Sequence, residues 1–206
     1  MTIDLDRISK RYTDEWILRN VSYHFESGKI YGIQGANGSG KSTLIKMISG
    51  YLSPSMGEIL YKDGLGIPVS RDDVYRHCSI WGPHVSLIPQ LTIDEMIAYY
   101  FTYKSMRQGI SKSIFQTTTD LPVKGNRMIN SLSSGQEQRL GLALSILSDS
   151  DMLLLDEPGS FLDKKSQTWL YNLIKDHAMD RLVIISSNEA ADLEMTKERL
   201  TIEDFK

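Results

Sequence analysis

The chain has 206 residues, a net charge of −3 at neutral pH, a hydrophobic fraction of 41% and one cysteine. That length suits one to two domains with a buried core, and the ordinary composition excludes a disordered chain. A lone cysteine excludes an internal disulfide and a cysteine-built zinc site, the slight acidic excess speaks against a dedicated nucleic-acid binder, and no apolar run approaches the ~18–20 residues that cross a bilayer.

The first thirty residues read as strands. MTIDLDRISKRY carries no apolar leader segment, so a reducing compartment is expected. Val21, Tyr23 and Phe25 alternate with Ser22, His24 and Glu26, the period of a half-buried strand. Ser27-Gly28 marks a turn. Ile30-Tyr31-Gly32-Ile33 is a short apolar strand that runs into a glycine cluster, and from Lys41 the apolar residues fall at helical spacing until Gly50, a plausible helix stop. Residues 53–90 suit loops and short strands. Thr92 and Glu95 form a capping box, with Leu91 and Met96 placed as a hydrophobic staple, predicting a helix over about 93–107. Residues 108–130 stay unassigned. A helix over about 134–148 follows, then a buried strand at Met152–Leu155, a helix over about 164–178 and a strand at 181–186. Strand–helix alternation at both ends flanks a helical middle, near 90–148. The expected fold is α/β, with a parallel-sheet core.

Three motifs carry chemistry. Gly35-Ala36-Asn37-Gly38-Ser39-Gly40-Lys41-Ser42 fits G-x-x-x-x-G-K-[ST]. Its glycines let successive N–H groups face one anion, Lys41 adds positive charge, Ser42 offers a hydroxyl to Mg²⁺, and the helix that follows points its positive end at the same phosphates. Asp156-Glu157 closes an apolar strand, where α/β sheets place their ligand crevice. Asp156 suits Mg²⁺ and Glu157 suits polarising a water. Leu132-Ser133-Ser134-Gly135-Gln136 precedes a strong helical pattern. Ser133 reads either as an ordinary helix cap or as part of a second anion site.

Together these motifs resemble the nucleotide-binding subunit of ABC transporters over nearly the whole chain. Gly35–Ser42 is similar to the family's Walker A loop, Leu132–Gln136 to its LSGGQ signature and Leu153–Pro158 to its Walker B strand. The resemblance implies a P-loop NTPase core with an N-terminal antiparallel β subdomain and a helical insertion, in one nucleotide-binding domain over 1–206. It implies ATP and Mg²⁺ as cofactors, with nucleotide contacts from Gly35, Ala36, Asn37, Gly38, Ser39, Gly40, Lys41, Ser42 and Thr43 and from the signature residues Leu132, Ser133, Ser134, Gly135 and Gln136. Mg²⁺ falls to Ser42 and Asp156. Tyr12 resembles the aromatic that stacks on adenine, or is a half-buried edge-strand tyrosine. Ser160–Asp163 resembles the D-loop, and Asp163 also suits the cap of the next helix. Family members pair head to tail, so the implied unit is a dimer of cassettes, of this chain or with a related one, on a separate transmembrane permease at the cytoplasmic face of the membrane.

Three positions depart from the pattern. Ser134 replaces the glycine at the signature's third position. The family's Q-loop glutamine falls on Pro83 or His84, according to which flank is aligned, and Gln90 is out of place for it. Asn188 takes the switch-histidine position, so the resemblance implies Glu157 and Asn188 as the catalytic residues. Asn donates a hydrogen bond but carries no proton to give, so binding with slowed hydrolysis is expected. The alternatives are a regulatory half of a heterodimeric pair and a non-transport ABC ATPase. Tyr99, Tyr100, Phe101 and Tyr103 are either core packing or a docking groove for the membrane partner.

Overall fold

The computed structural model describes residues 1–121 and 125–206. Two sheets carry the fold. The first is antiparallel, with β1 (Thr2–Tyr12), β2 (Glu15–Glu26), β4 (Met56–Lys62) and β5 (Pro68–Val69) in the order β2-β1-β4-β5. Val21 and Phe25 of β2 are fully buried while Ser22 and His24 face out, as the alternation predicts.

The second sheet is parallel and ordered β6-β7-β8-β3-β9, from Cys78–Trp81, Met152–Asp156, Leu182–Ser187, Ile30–Gln34 and Glu198–Thr201. Every residue of β7 and β8 is buried. Leu153 and Leu155 join one apolar cluster, and Met152 and Leu154 join the other. Both faces are therefore covered, which is why these strands read as unbroken apolar runs. Each fully buried leucine contributes about 1.5–3 kcal/mol. One face packs on α3 (Ile93–Tyr103), α5 (Ser134–Ile146) and α6 (Lys164–His177), and the other on α1 (Lys41–Ile48) and the antiparallel sheet.

The helix signals hold at the residue level. Glu95 N–H donates to Thr92 Oγ1 at 3.2 Å and Thr92 N–H to Glu95 Oε2 at 2.8 Å. Gly50 follows α1 with φ +78° and donates its N–H to Met47 O. The helix expected to reach 107 stops at Tyr103. Beyond it the chain pairs with the end of α5, through Asp149 N–H on Ser105 O (2.8 Å) and Arg107 N–H on Leu147 O (3.0 Å). Tertiary hydrogen bonds win there over helical continuation. Within the unassigned 108–130 lies α4 (Lys112–Thr119), capped by Ser111 and anchored by the fully buried Phe115. Only its tertiary setting, including Trp169 Nε1 on Thr118 O at 2.8 Å, holds so short a helix. No described helix is long and apolar enough to cross a membrane.

The sheet meets α5 at one close approach. A Cβ on Gly141 would lie 2.1 Å from the Trp81 ring, itself 5% exposed. Gly141→Ala therefore displaces Trp81 and lowers stability by about 1–3 kcal/mol, read as an earlier midpoint in urea denaturation.

Candidate functional site

The strand order puts the C-terminal ends of β3, β8 and β7 side by side. Each ends on polar residues, so one rim of the sheet gathers the loop after Gln34, the Ser186-Ser187-Asn188 segment and Asp156-Glu157.

The glycine loop is built around its backbone. Gly38 and Gly40 have φ of +76° and +110°, and a Cβ on Gly40 would also meet Ile17 at 2.8 Å. At the start of α1, Gly40 makes no side-chain cap and the first turn holds no acidic residue. The helix thus presents bare N–H groups and its positive end, the arrangement that receives an anion. Ser39 Oγ is buried without a partner. Lys41 is 5% exposed, and its Nζ sits 2.9 Å from Gly35 O, 3.2 Å from Ala36 O and 3.1 Å from Glu157 Oε1. Ser42 and Thr43 lie half-buried in the first turn of α1. The outer side of the loop is gripped by the 3₁₀ turn Ile202–Phe205: Glu203 Oε1 accepts from Ala36 N–H at 2.8 Å, and Lys206 Nζ donates to Ser39 O at 2.6 Å. The Ala36 N–H holds the Glu203 carboxyl below its ordinary range.

Asp156 is 3% exposed and accepts from Ser186 Oγ. A Cβ on Gly82 would fall 2.6 Å from Asp156 Cβ, so β6 approaches this carboxylate only through a glycine. Ser42, Asp156, Gly82 and His84 line one small cavity. A hydroxyl and a carboxylate facing the same space suit a hard cation such as Mg²⁺. A larger cavity, about 530 Å³, is lined by Asn37, Glu157, Asn188 and Pro83 among others. Both candidates for the absent glutamine therefore reach the site, His84 on the Ser42/Asp156 side and Pro83 on the Glu157/Asn188 side. Gln90 lines neither. Glu157 adopts φ +51°, a costly conformation for a side-chain-bearing residue, and is held at both carboxylate oxygens: Oε1 by Lys41 and Oε2 by Ser187 Oγ at 3.1 Å.

The signature segment is not brought to these cavities. Ser133 caps α5 by accepting from Gln136 N–H at 3.3 Å, while Gln136 Oε1 accepts from Ser133 N–H at 3.1 Å. This is the capping reading. Leu132 is half-buried and Ser133 and Ser134 are exposed. Gly135 passes close to the Phe161 carbonyl, which a Cβ would meet at 2.9 Å. Asp163 caps α6 through Ser166 N–H at 2.8 Å. Tyr12 ends β1, is 48% exposed, and has Lys10 Nζ 5.3 Å from its ring centre.

Four contributors escaped sequence reading. Ser187 and Asp192 stand behind Glu157. Gln138 ties the sheet rim to α5, accepting from Trp81 Nε1 at 2.8 Å and donating to Pro158 O at 3.0 Å. Glu203 holds the glycine loop. Only Gln138 had a local signal, two residues past the signature; the others are recognisable only by their neighbours in space. The aromatic cluster divides. Phe101 packs on Phe115 (5.7 Å between centres), while Tyr99 and Tyr103 are 45% and 73% exposed.

The ABC transporter family model matches residues 18–160. A putative ABC transporter ATP-binding protein from Pyrococcus furiosus superposes with a TM-score of 0.83 at 23% identity, over 100% of both chains. A bacterial Atm1-family ABC exporter with ATP bound matches at 0.80 and 22% identity, over 97% of this chain and 37% of its own. The cassette MJ0796, solved as a dimer in a post-hydrolysis state with ADP and Pi, matches at 0.80 and 23% identity, over 97% and 93%. At such identities the superpositions establish a shared fold. With the family model spanning the glycine loop, the signature segment and the Asp156-Glu157 strand end, the chain belongs to the ABC transporter family of ATP-binding cassettes.

Proposed function

We propose that the chain is the ATP-hydrolysing subunit of an ABC transporter whose membrane-spanning subunits are separate chains, and that it turns over slowly. One observation carries the nucleotide assignment: a buried lysine at the mouth of a bare helix end, held by two carbonyls and Glu157. A γ-phosphate entering there answers the same ammonium with fuller charge. The loop N–H groups, Ser39, Ser42 and Thr43 bind the phosphates, and Asn37 and Asn188 face the terminal one across the larger cavity. Tyr12, exposed at the end of β1, offers a ring face to adenine. Ser42 and Asp156 hold Mg²⁺, which neutralises charge on the phosphates. Glu157 orients and deprotonates the attacking water.

The exposed Ser133 and Ser134 support a dimer. Their free faces, with Gly135, Gln136 and Leu132 behind them, suit the nucleotide of a second cassette, and Asp163 and the exposed Phe161 lie beside them toward that partner. An ATP sandwich between two cassettes gives a two-state closure that drives the membrane subunits. On this reading the chain works at the cytoplasmic face of the membrane. The likeness to an exporter supports export as the direction.

A groove of about 530 Å³ between the end of α1, β6 and α3 suits the membrane partner. Tyr51 (81% exposed), Tyr75 (58%) and Tyr100 line it, with Val85 and Ile80 shared by an adjoining hollow that reaches His84. Tyr100 is thus the one member of the 99–103 cluster in the groove. An element seated there touches the His84 segment, which links docking to the Ser42/Asp156 cavity.

Slow turnover follows from Asn188, which donates a hydrogen bond without a proton to give. Asn188→His is expected to raise steady-state ATP turnover about tenfold or more, up to the ~10²–10³ that a hydrogen bond to developing charge supplies; equal turnover in a coupled-phosphate assay removes the reading. Replacing Tyr51 and Tyr75 together by Ala is expected to reduce recovery on membranes carrying the partner at least tenfold while ATP affinity, titrated by fluorescence, stays within twofold. A matching loss of ATP affinity would mean that the groove supports the nucleotide site instead.

A further inference from the structure

Behind Glu157 lies a buried pair that no motif contains. Ser187 Oγ is 3.1 Å from Glu157 Oε2 and 2.7 Å from Asp192 Oδ2. Ser187 is fully buried and Asp192 is 2% exposed. A hydroxyl has one hydrogen to donate. With both carboxylates ionised, one of those two approaches has no hydrogen in it and sets oxygen against oxygen at a fully buried serine. A proton on one carboxyl resolves the conflict, because that group then donates to Ser187 Oγ and leaves the serine hydrogen for the other.

The surroundings decide which carboxyl carries it. Glu157 has the Lys41 ammonium at 3.1 Å. Asp192 faces Ser187, the Gly159 N–H at 3.3 Å and the Tyr171 hydroxyl, with the acidic Glu157 and Glu189 nearby. Burial and these two acids push its pKa up against the pull of Ser187 and Gly159. A buried carboxyl beside like charges and without a cation of its own is the one that keeps its proton.

We propose that Asp192 is a positioning residue for ATP hydrolysis, a neutral acid that donates to Ser187 so that the serine hydrogen is committed to Glu157. The chain of two hydrogen bonds runs Asp192 to Ser187 to Glu157 and fixes the carboxylate when ATP draws Lys41 away. Until then Glu157 is held from both sides; afterwards Ser187 is its remaining anchor, in a residue whose backbone is already strained at φ +51°. Asp192 also takes the Gly159 N–H, so the same carboxyl fixes the turn that follows Glu157. The inference rests on Glu157 being the water-activating group.

The test compares Asp192→Ala, Asp192→Asn, Ser187→Ala and Glu157→Gln in the full chain with Mg²⁺ and ATP, reading kcat, KM and ATP affinity, with thermal denaturation to verify folding. Asp192→Ala and Ser187→Ala are expected to lower kcat about tenfold with KM and ATP affinity within twofold, since neither residue lines the phosphate loop. Asp192→Asn is expected to recover part of the loss, because its amide N–H donates to Ser187 as the neutral acid does, while the same atom no longer accepts the Gly159 N–H. A kcat as low in Asp192→Asn as in Asp192→Ala overturns the proposal, since the ionised form would then be the one required. So does an unchanged kcat in Asp192→Ala while Glu157→Gln is inactive. Should Glu157→Gln itself keep full turnover, the role given to Glu157 falls, and that result is distinct from a failure at Asp192. Asp192→Asn keeps the shape of the side chain, and if Asp192→Ala fails to fold, a kcat in Asp192→Asn as low as in Ser187→Ala overturns the proposal.

Discussion

A buried ammonium must be answered by oxygen, and the arrangement around Lys41 follows from that. Lys41 is carried inward by α1, whose bare first turn already presents positive potential. Two carbonyls of its own loop and the Glu157 carboxylate meet it there. Desolvating such a group without partners costs several kcal/mol. The contact exists because β8 lies between β3 and β7, so that the loops leaving the two outer strands bend toward each other across it. The charge balance suits exchange of partners. In the proposed function a phosphate, with its fuller charge, takes the place of Glu157 at Lys41 and frees the carboxylate.

The second layer of the site is short-range and polar. Ser186 holds Asp156, and Ser187 holds Glu157, from successive positions of one strand. Successive strand residues point to opposite faces, so each serine serves one acid of the pair. Behind them Asp192 arrives from the 3₁₀ turn Ala191–Leu193 and reaches Gly159, where a Cβ would fall 2.3 Å from its Oδ1. Glycines at 82, 141 and 159 are thus required by what crosses them: Asp156, Trp81 and Asp192. They let elements close on the acids without side chains between.

Much of this was legible in the residues themselves. The glycine loop, the Asp156-Glu157 strand end, the capping box at Thr92 and the caps at Ser133 and Asp163 depend on groups within a few positions of one another, and local chemistry specifies them. The extent of α3 and the existence of α4 did not show, because hydrogen bonds from 105–107 to the end of α5 and the packing of Phe115 decide them. The place of the missing glutamine was ambiguous in sequence because its flanks give two alignments. In space both Pro83 and His84 touch the site, on different cavities.

Sequence by itself determined the family likeness, the phosphate loop and the departures at Pro83/His84, Ser134 and Asn188, since each is written in neighbouring residues whose backbone or charge acts locally. The tertiary structure decided which groups meet: Lys41 with Glu157, Ser187 with both acids, Glu203 with the loop, and the tyrosines that share a groove. Those partners lie far apart along the chain, and no periodicity links them. Their meeting follows from the order in which parallel strands pair, a property of the packed sheet as a whole.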